Sequence, residues 1–89
     1  MTYSLYRAGD GVGDSGQMCE ILDPAEGYNP APGERRPKIG CGVRVGSIIS
    51  RSYQAHDWWQ TTPITEILID QPNYMKFRTR NSIYEWKEF

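Results

Sequence analysis

Hydrophobic and polar residues alternate along residues 74–89. In YMKFRTR, residues 74–80, Met, Phe and Thr occupy one set of alternate positions and three basic residues occupy the other. Successive side chains of a strand point to opposite faces, so one face of this segment is predicted to be buried and the other solvated. SIYEWKEF, residues 82–89, alternates in the same way. Because Asn81 and Ser82 favour turns, the two segments are predicted to form a β-hairpin.

Four other segments have the composition of strands. VRVGSIIS, residues 43–50, is rich in β-branched residues, and PITEILID, residues 63–70, has isoleucines on both faces, so we expect it to be covered on both sides for part of its length. Residues 1–6 and 17–22 are shorter apolar pieces. No window shows the apolar spacing of a helix. The predicted core comprises Val43, Val45, Ile48, Ile67, Ile69, Met75, Phe77 and Ile83.

These segments predict a mostly-β fold with little or no helix. Short strands separated by turns favour a small, strongly bent antiparallel sheet of about five strands, in an SH3-like barrel or half-barrel. Most glycines and prolines precede residue 41, and most aromatic residues follow it. Residues 1–89 are therefore predicted to form a single domain, with a Gly/Pro-rich part of short strands at 1–40 and an aromatic-rich β core at 41–89.

The charges of the chain nearly balance. Ten Lys and Arg residues against eleven Asp and Glu residues give a formal net charge of -1. This charge supplies no overall field that attracts nucleic acid or an anionic membrane, and it excludes a strongly acidic mimic of DNA. The chain has no apolar stretch of membrane-spanning length, and MTYSLYRAGD lacks the charged and apolar regions of a signal peptide, so a cytoplasmic location is expected.

The chain offers few ligands for a metal or cofactor. Cys19, Cys41 and His56 are too few for a structural zinc site, so we expect no metal and interpret the cysteines as buried thiols, with a disulfide as the alternative. GDGVGDSG, residues 9–16, satisfies the GxGxxG spacing of dinucleotide sites. Such a site needs a helix after the glycines, and Pro24 follows too soon, so we interpret the segment as a flexible turn and predict no cofactor.

No residues of the chain form a recognisable catalytic set. His56 is followed directly by Asp57, and adjacent side chains do not readily align a carboxylate, an imidazole and a distant cysteine thiol. We therefore interpret His56 as a loop residue, predict no catalytic residues, and expect the protein not to be an enzyme.

Three cations at alternate positions of one predicted strand form a basic row. They project from one face about 7 Å apart, close to the phosphate spacing of a single nucleic-acid strand. Tyr74 precedes the row, and Arg44 or Arg51 is a candidate to join it from a neighbouring strand. Pairing with Glu66 or Glu85 across the sheet is the alternative interpretation. The candidate residues for binding phosphate or an acidic partner are Lys76, Arg78, Arg80, Arg51 and Tyr74.

The adjacent Trp58 and Trp59 follow a polar loop that contains Tyr53 and His56. On an extended segment one indole faces the core, so the other is free to anchor a partner at the surface. A loop that buries both rings is the alternative. These four residues are the predicted site for binding a partner protein.

DWWQTTPITEIL followed by YMKFRTRNSIYEW resembles the C-terminal half of small uncharacterised proteins encoded by bacteriophages. The resemblance is confined to residues 43–89. Such proteins include inhibitors of host defence, among them anti-CRISPR proteins, which are short, non-enzymatic and act by occluding a partner surface. The resemblance implies a non-enzymatic module that occludes a host protein in the host cytoplasm. The alternative is binding of single-stranded nucleic acid or a nucleotide through the basic row, and the oligomeric state stays open.

Overall fold

The computed structural model describes residues 2–47 and 58–89. Within these ranges the backbone forms nine β-strands and one 3-10 turn at Pro24–Glu26. The strands are β1 (Tyr3–Arg7), β2 (Gly13–Gly16), β3 (Met18–Asp23), β4 (Asn29–Pro30), β5 (Gly42–Gly46), β6 (Trp58–Gln60), β7 (Ile64–Gln71), β8 (Tyr74–Thr79) and β9 (Ile83–Glu88).

The strands are arranged in two antiparallel sheets. The five-stranded sheet has the order β2-β1-β9-β8-β7, and the four-stranded sheet has the order β4-β3-β5-β6. The chain passes from the first sheet to the second between β2 and β3, and it returns between β6 and β7. The predicted mostly-β class and the hairpin of β8 and β9 are confirmed. The sheets do not close into a barrel, and the described residues contain more strands than the pattern predicts.

One hydrophobic cluster joins the inner faces of the two sheets. Four predicted core residues are buried, namely Val43, Val45, Met75 and Phe77. Ile83 is half-buried but is not a core residue, because it lies opposite the outward Arg78 on the outer face of β9, and Ile48 lies outside the described residues. The core is not confined to residues 41–89 as predicted, because β1 and β3 each place apolar side chains in it. These additional core residues are Tyr3, Leu5, Cys19 and Ile21.

Strand β7 departs from the prediction, because it forms an edge of the five-stranded sheet. Its register against β8 shifts between Ile64 and Glu66 and again between Ile67 and Ile69. A bulge moves the following side chains to the other face of a strand. Ile64 and Ile67 therefore pack on the core, whereas Leu68 and Ile69 are 38% and 36% exposed. Ile69 is not a core residue, and β7 is not covered on both sides.

The segment GDGVGDSG is not a flexible turn throughout, because residues 13–16 form β2 and pair with β1. Small residues are required here. A Cβ atom built on Gly16 would lie 2.1 Å from the carbonyl oxygen of Gly46. Gly46 belongs to β5 of the other sheet, so the missing side chain lets the two sheets approach closely at this corner.

Cys19 and Cys41 are free, buried thiols, as the sequence predicts. The Sγ atom of Cys19 donates a hydrogen bond to the carbonyl oxygen of Arg35, with a distance of 3.1 Å. Burial raises the pKa of Cys19 to about 11, so its thiol stays protonated at neutral pH. Because the thiolate is the reactive form, Cys19 is a packing residue rather than a nucleophile.

Candidate functional site

Trp58 and Trp59 lie on β6, at an edge of the four-stranded sheet. Trp59 is opposite the fully buried Val45 and packs against the core. Trp58 is 37% exposed. Adjacent side chains of a strand point to opposite faces. Trp58 is therefore the outward indole and Trp59 the inward one, which the sequence could not distinguish.

Arg44, on β5, connects the side chains on the outer face of this sheet. Its Nε and Nη2 atoms donate to Oε1 of Gln60 at 3.1 and 2.9 Å, and its Nη1 atom donates to Oε1 of Glu20 at 3.1 Å. The guanidinium carbon lies 5.0 Å from the centroid of the Trp58 ring, a cation–π distance. Glu20, Arg44, Trp58 and Gln60 are called the arginine–tryptophan surface below.

The register of the sheet explains this grouping. Arg44 is opposite Glu20 on β3 and opposite Gln60 on β6, so the three side chains form one row across three strands. In the next row Gly46 is opposite Trp58. Because Gly46 has no side chain, β5 leaves space beside the outward indole.

Trp59 is held by a second arginine, which comes from the five-stranded sheet. The guanidinium carbon of Arg7, at the end of β1, lies 5.5 Å from the centroid of the Trp59 ring. Arg7 also donates to the Asp10 carboxylate, with Nη2 at 2.7 Å from Oδ2, and these hydrogen bonds lower the pKa of Asp10. The inner indole is thus packed on the core and covered by a fixed cation, which makes β6 a firm support for Trp58.

The arginine–tryptophan surface combines a partly exposed ring with charges of fixed geometry. The side chains of Arg44 and Glu20 are 24% and 28% exposed, so this ion pair is partly desolvated. Tryptophan and arginine are enriched among the residues that dominate binding energy at protein interfaces. In the described part of the chain, no cluster of His, Cys, Asp and Glu is suited to hold a metal ion.

Three predicted site residues lie outside the described residues, namely Arg51, Tyr53 and His56. An aromatic patch formed by Tyr53 and His56 with Trp58 therefore stays a prediction.

Lys76 and Arg78 lie on the outer face of β8, as the alternation predicts, whereas Arg80 follows the end of the strand at Thr79 and is not part of the row on β8. Nη1 of Arg78 lies 3.5 Å from Oε1 of Glu66, and Lys76 is opposite Glu85 in the register of β8 and β9. The predicted pairing of the row with carboxylates is therefore present for Arg78. Arg44 does not join the row, because it belongs to the other sheet.

Tyr74, the aromatic residue next to the basic row, is tied to a carboxylate. Its hydroxyl donates to Oε1 of Glu85 at 2.6 Å. This hydrogen bond is the main cause that raises the pKa of Tyr74, so the hydroxyl stays protonated at neutral pH. Tyr74 therefore holds Glu85 on the outer face of the five-stranded sheet.

Sequence reasoning missed Glu20 and Gln60. Both are polar residues within or beside apolar segments, and a charge inside the predicted strand 17–22 was an available signal for an outward position. The signal does not reveal the partner, because the pairing with Arg44 depends on the register of three strands.

Comparison with protein-family models, with curated proteins and with solved structures gives no match to this chain. Within residues 2–47 and 58–89, no helix has the length and apolar character needed to cross a membrane.

Proposed function

We propose that this protein is a non-enzymatic binding module that occludes a partner protein by direct contact at its arginine–tryptophan surface. The observation that carries the proposal is the outward indole of Trp58, which is 37% exposed and stacked on Arg44. Tryptophan is enriched among the residues that dominate binding energy at interfaces, and here the ring is presented on a strand.

The contacts of Arg44 favour tight binding because they order the surface before a partner arrives. Its bonds to Gln60 and Glu20 fix the guanidinium, and the guanidinium covers one side of the Trp58 ring. Ordering side chains on binding costs free energy, so a surface that is already ordered loses less of its contact energy. A guanidinium also has more N–H donors than these bonds use, which leaves donors for an acceptor on the partner.

The proposed partner is a bacterial host protein, and the proposed place of contact is the host cytoplasm. The resemblance of residues 43–89 to phage proteins supports this class, with a defence protein such as a CRISPR component as the specific expectation. The surface itself requires that the partner offer an apolar or aromatic pocket for the indole and a carbonyl or carboxylate oxygen near Arg44.

The test is affinity capture from nuclease-treated bacterial lysate, followed by measured affinity for the captured protein. We expect Trp58→Ala to weaken this binding by about 2 kcal/mol or more, roughly 30-fold in Kd. Leu68→Ala is the matched control, because Leu68 is 38% exposed but lies on the other sheet. The control is expected to bind like the parent protein.

Two results would contradict the proposal. One is equal affinity of Trp58→Ala, Leu68→Ala and the parent protein for the captured partner. The other is capture of proteins from untreated lysate but of none from nuclease-treated lysate, which would show that nucleic acid bridged the contact.

A further inference from the structure

The outer face of the five-stranded sheet carries a trough that lies apart from the arginine–tryptophan surface. It has a volume of about 310 Å³, within the range of small-ligand sites. Its lining includes the hydroxyl groups of Thr2, Ser4, Tyr6 and Ser15, together with the Lys87 ammonium group and the Glu85 carboxylate. Ser4 is opposite Ser15 on β2 and opposite Lys87 on β9, so a hydroxyl, a hydroxyl and an ammonium group form one row across three strands.

Aromatic side chains border this row on both sides. Tyr6 follows Ser4 on the same face of β1 and is 38% exposed, and Phe89 lies beside Thr2 and is 70% exposed. Ser4 lies between Thr2 and Tyr6 along the chain. It is small and 6% exposed, so it forms the floor of the trough. Alternate side chains of a strand are about 7 Å apart, which gives a planar ring room to stack on either border.

Two of the cations on this face have no ion-pair partner in the part of the chain that the structure describes. Four arginines form ion pairs with carboxylates, and these are Arg7, Arg36, Arg44 and Arg78. Among the described residues, Lys76 and Lys87 have no carboxylate within ion-pair distance, although both lie on the outer face of the sheet. Unpaired ammonium groups are available to neutralise an anion from solution.

Two carboxylates share this face. Glu85 accepts a hydrogen bond from the Tyr74 hydroxyl at 2.6 Å, which satisfies part of its charge. Glu66 lies 3.5 Å from Arg78. The three cations Lys76, Arg78 and Lys87 therefore outnumber the two carboxylates Glu66 and Glu85 on the outer positions of β7, β8 and β9, although the whole chain has a net charge of -1.

We propose that the outer face of the five-stranded sheet binds single-stranded nucleic acid, with one nucleotide seated in the trough. This inference does not depend on the proposed protein contact, which uses the other sheet. A nucleotide fits the hydroxyl, ammonium and aromatic groups of the trough, while the Glu85 carboxylate that also lines the trough accepts a hydrogen bond from the Tyr74 hydroxyl. The phosphate of this nucleotide is bound by Lys87 and the serine hydroxyls, and its base stacks on Tyr6 or Phe89. The Lys76 ammonium group, on the neighbouring strand β8, neutralises the next phosphate.

The experiment is fluorescence anisotropy with a labelled oligothymidylate of about 12 nucleotides, a length within the site sizes of single-strand binders. Binding is measured at several salt concentrations from about 50 mM upward. Lys87→Ala is expected to flatten the slope of log affinity against log salt by about 0.7, because one phosphate contact is lost. Tyr6→Ala is expected to weaken binding by at least about fivefold through the loss of stacking.

Lys38→Ala is the matched control, because it removes an exposed cation that lies outside this face. It is expected to leave the oligothymidylate affinity within about twofold of the parent value. Thermal unfolding of each variant confirms that it is folded.

Each remaining outcome would overturn the proposal. Absence of binding at low salt removes it, and so does an equal loss in Lys38→Ala and Lys87→Ala, which would indicate non-specific attraction. Thymidine monophosphate that binds as tightly as the oligonucleotide would assign the trough to a free nucleotide instead. Trp58→Ala separates this test from the proposed function, because the protein contact is predicted to depend on Trp58 and the oligonucleotide contact on Lys87.

Discussion

The outer faces of the two sheets present their cations in opposite ways. On the four-stranded sheet, Arg44 bonds to Gln60 and Glu20 and stacks on Trp58, so its charge is fixed and partly desolvated. On the five-stranded sheet, Lys76 and Lys87 project from neighbouring strands without an ion pair to a described carboxylate. The arginine of the first face is fixed by its partners, and the second face carries two lysines without an ion pair within the described ranges, beside the paired Arg78.

This difference is the basis of the two kinds of recognition that we propose. A fixed arginine beside a tryptophan favours a partner of defined shape, because the contact gains from order that already exists. Unpaired lysines favour a flexible polyanion, because a lysine is a mobile point charge and its attraction depends on salt. Under these proposals the four-stranded sheet recognises a partner by shape and the five-stranded sheet recognises one by charge.

The largest expected effect comes from breaking the core that supports both faces. Phe77 is fully buried on the inner face of β8 and stacks on Tyr84, with ring centroids 5.9 Å apart. Phe77→Ala should lower the free energy of unfolding by about 3 to 5 kcal/mol, measured by urea denaturation. Phe89→Ala, at a 70% exposed position, is the control and should change it by less than about 0.5 kcal/mol. Equal stability of the two variants would contradict the assigned core.

The next effect separates the two adjacent tryptophans. Trp59 packs on the core and under Arg7, so Trp59→Ala should cost about 2 kcal/mol or more of folding stability. Trp58→Ala removes an outward ring and its stack with Arg44, which should cost about 0.5 to 1 kcal/mol. Denaturant titration of both variants measures the difference. A larger loss in Trp58→Ala than in Trp59→Ala would reverse the assignment of the inward ring.

A smaller loss is expected at the corner where the two sheets meet. In Gly16→Ala the new Cβ atom meets the carbonyl oxygen of Gly46, which is backbone and has no rotamer to move aside. The strands must shift, at a cost of about 1 to 3 kcal/mol. Ser15→Ala, the neighbouring control, should change stability by less than about 1 kcal/mol in the same thermal unfolding measurement. A neutral Gly16→Ala would show that the sheets are farther apart at this corner.

Strict alternation in the sequence was sufficient to predict β8, β9 and the outward positions of Lys76 and Arg78. Each residue of these strands faces the side that period-two alternation requires, because both strands have paired neighbours and a regular register against each other. The same reasoning failed at Ile69, since two register shifts in β7 reverse the face of the residues that follow. Bulges arise from the pairing of two strands, and a single segment does not reveal them.

The candidate surfaces depended still more on tertiary contacts. The outward ring of the Trp58 and Trp59 pair is decided by Val45, which sits opposite Trp59 on β5. The strand at 13–16 forms because β1 pairs with it and Gly46 approaches it, and neither contact is visible in a glycine-rich segment. Residue types therefore indicated which side chains were candidates, and the register decided which of them meet.

The smallest expected effect on stability is at the exposed ion pair on the outer face of the five-stranded sheet. Glu66 and Arg78 are 56% and 51% exposed in their side chains, and an ion pair so exposed contributes little to folding. Glu66→Gln should therefore leave the free energy of unfolding within about 0.5 kcal/mol of the parent value.

Glu66→Gln also frees Arg78 for a phosphate, so the salt slope for oligothymidylate binding should become steeper by about 0.7. Glu26→Gln makes the same change of net charge in the 3-10 turn, away from the sheet, and should leave the slope unchanged. If both variants steepen the slope equally, net charge rather than this face governs the attraction; affinity for the protein partner should be the same in both, because neither residue touches the arginine–tryptophan surface.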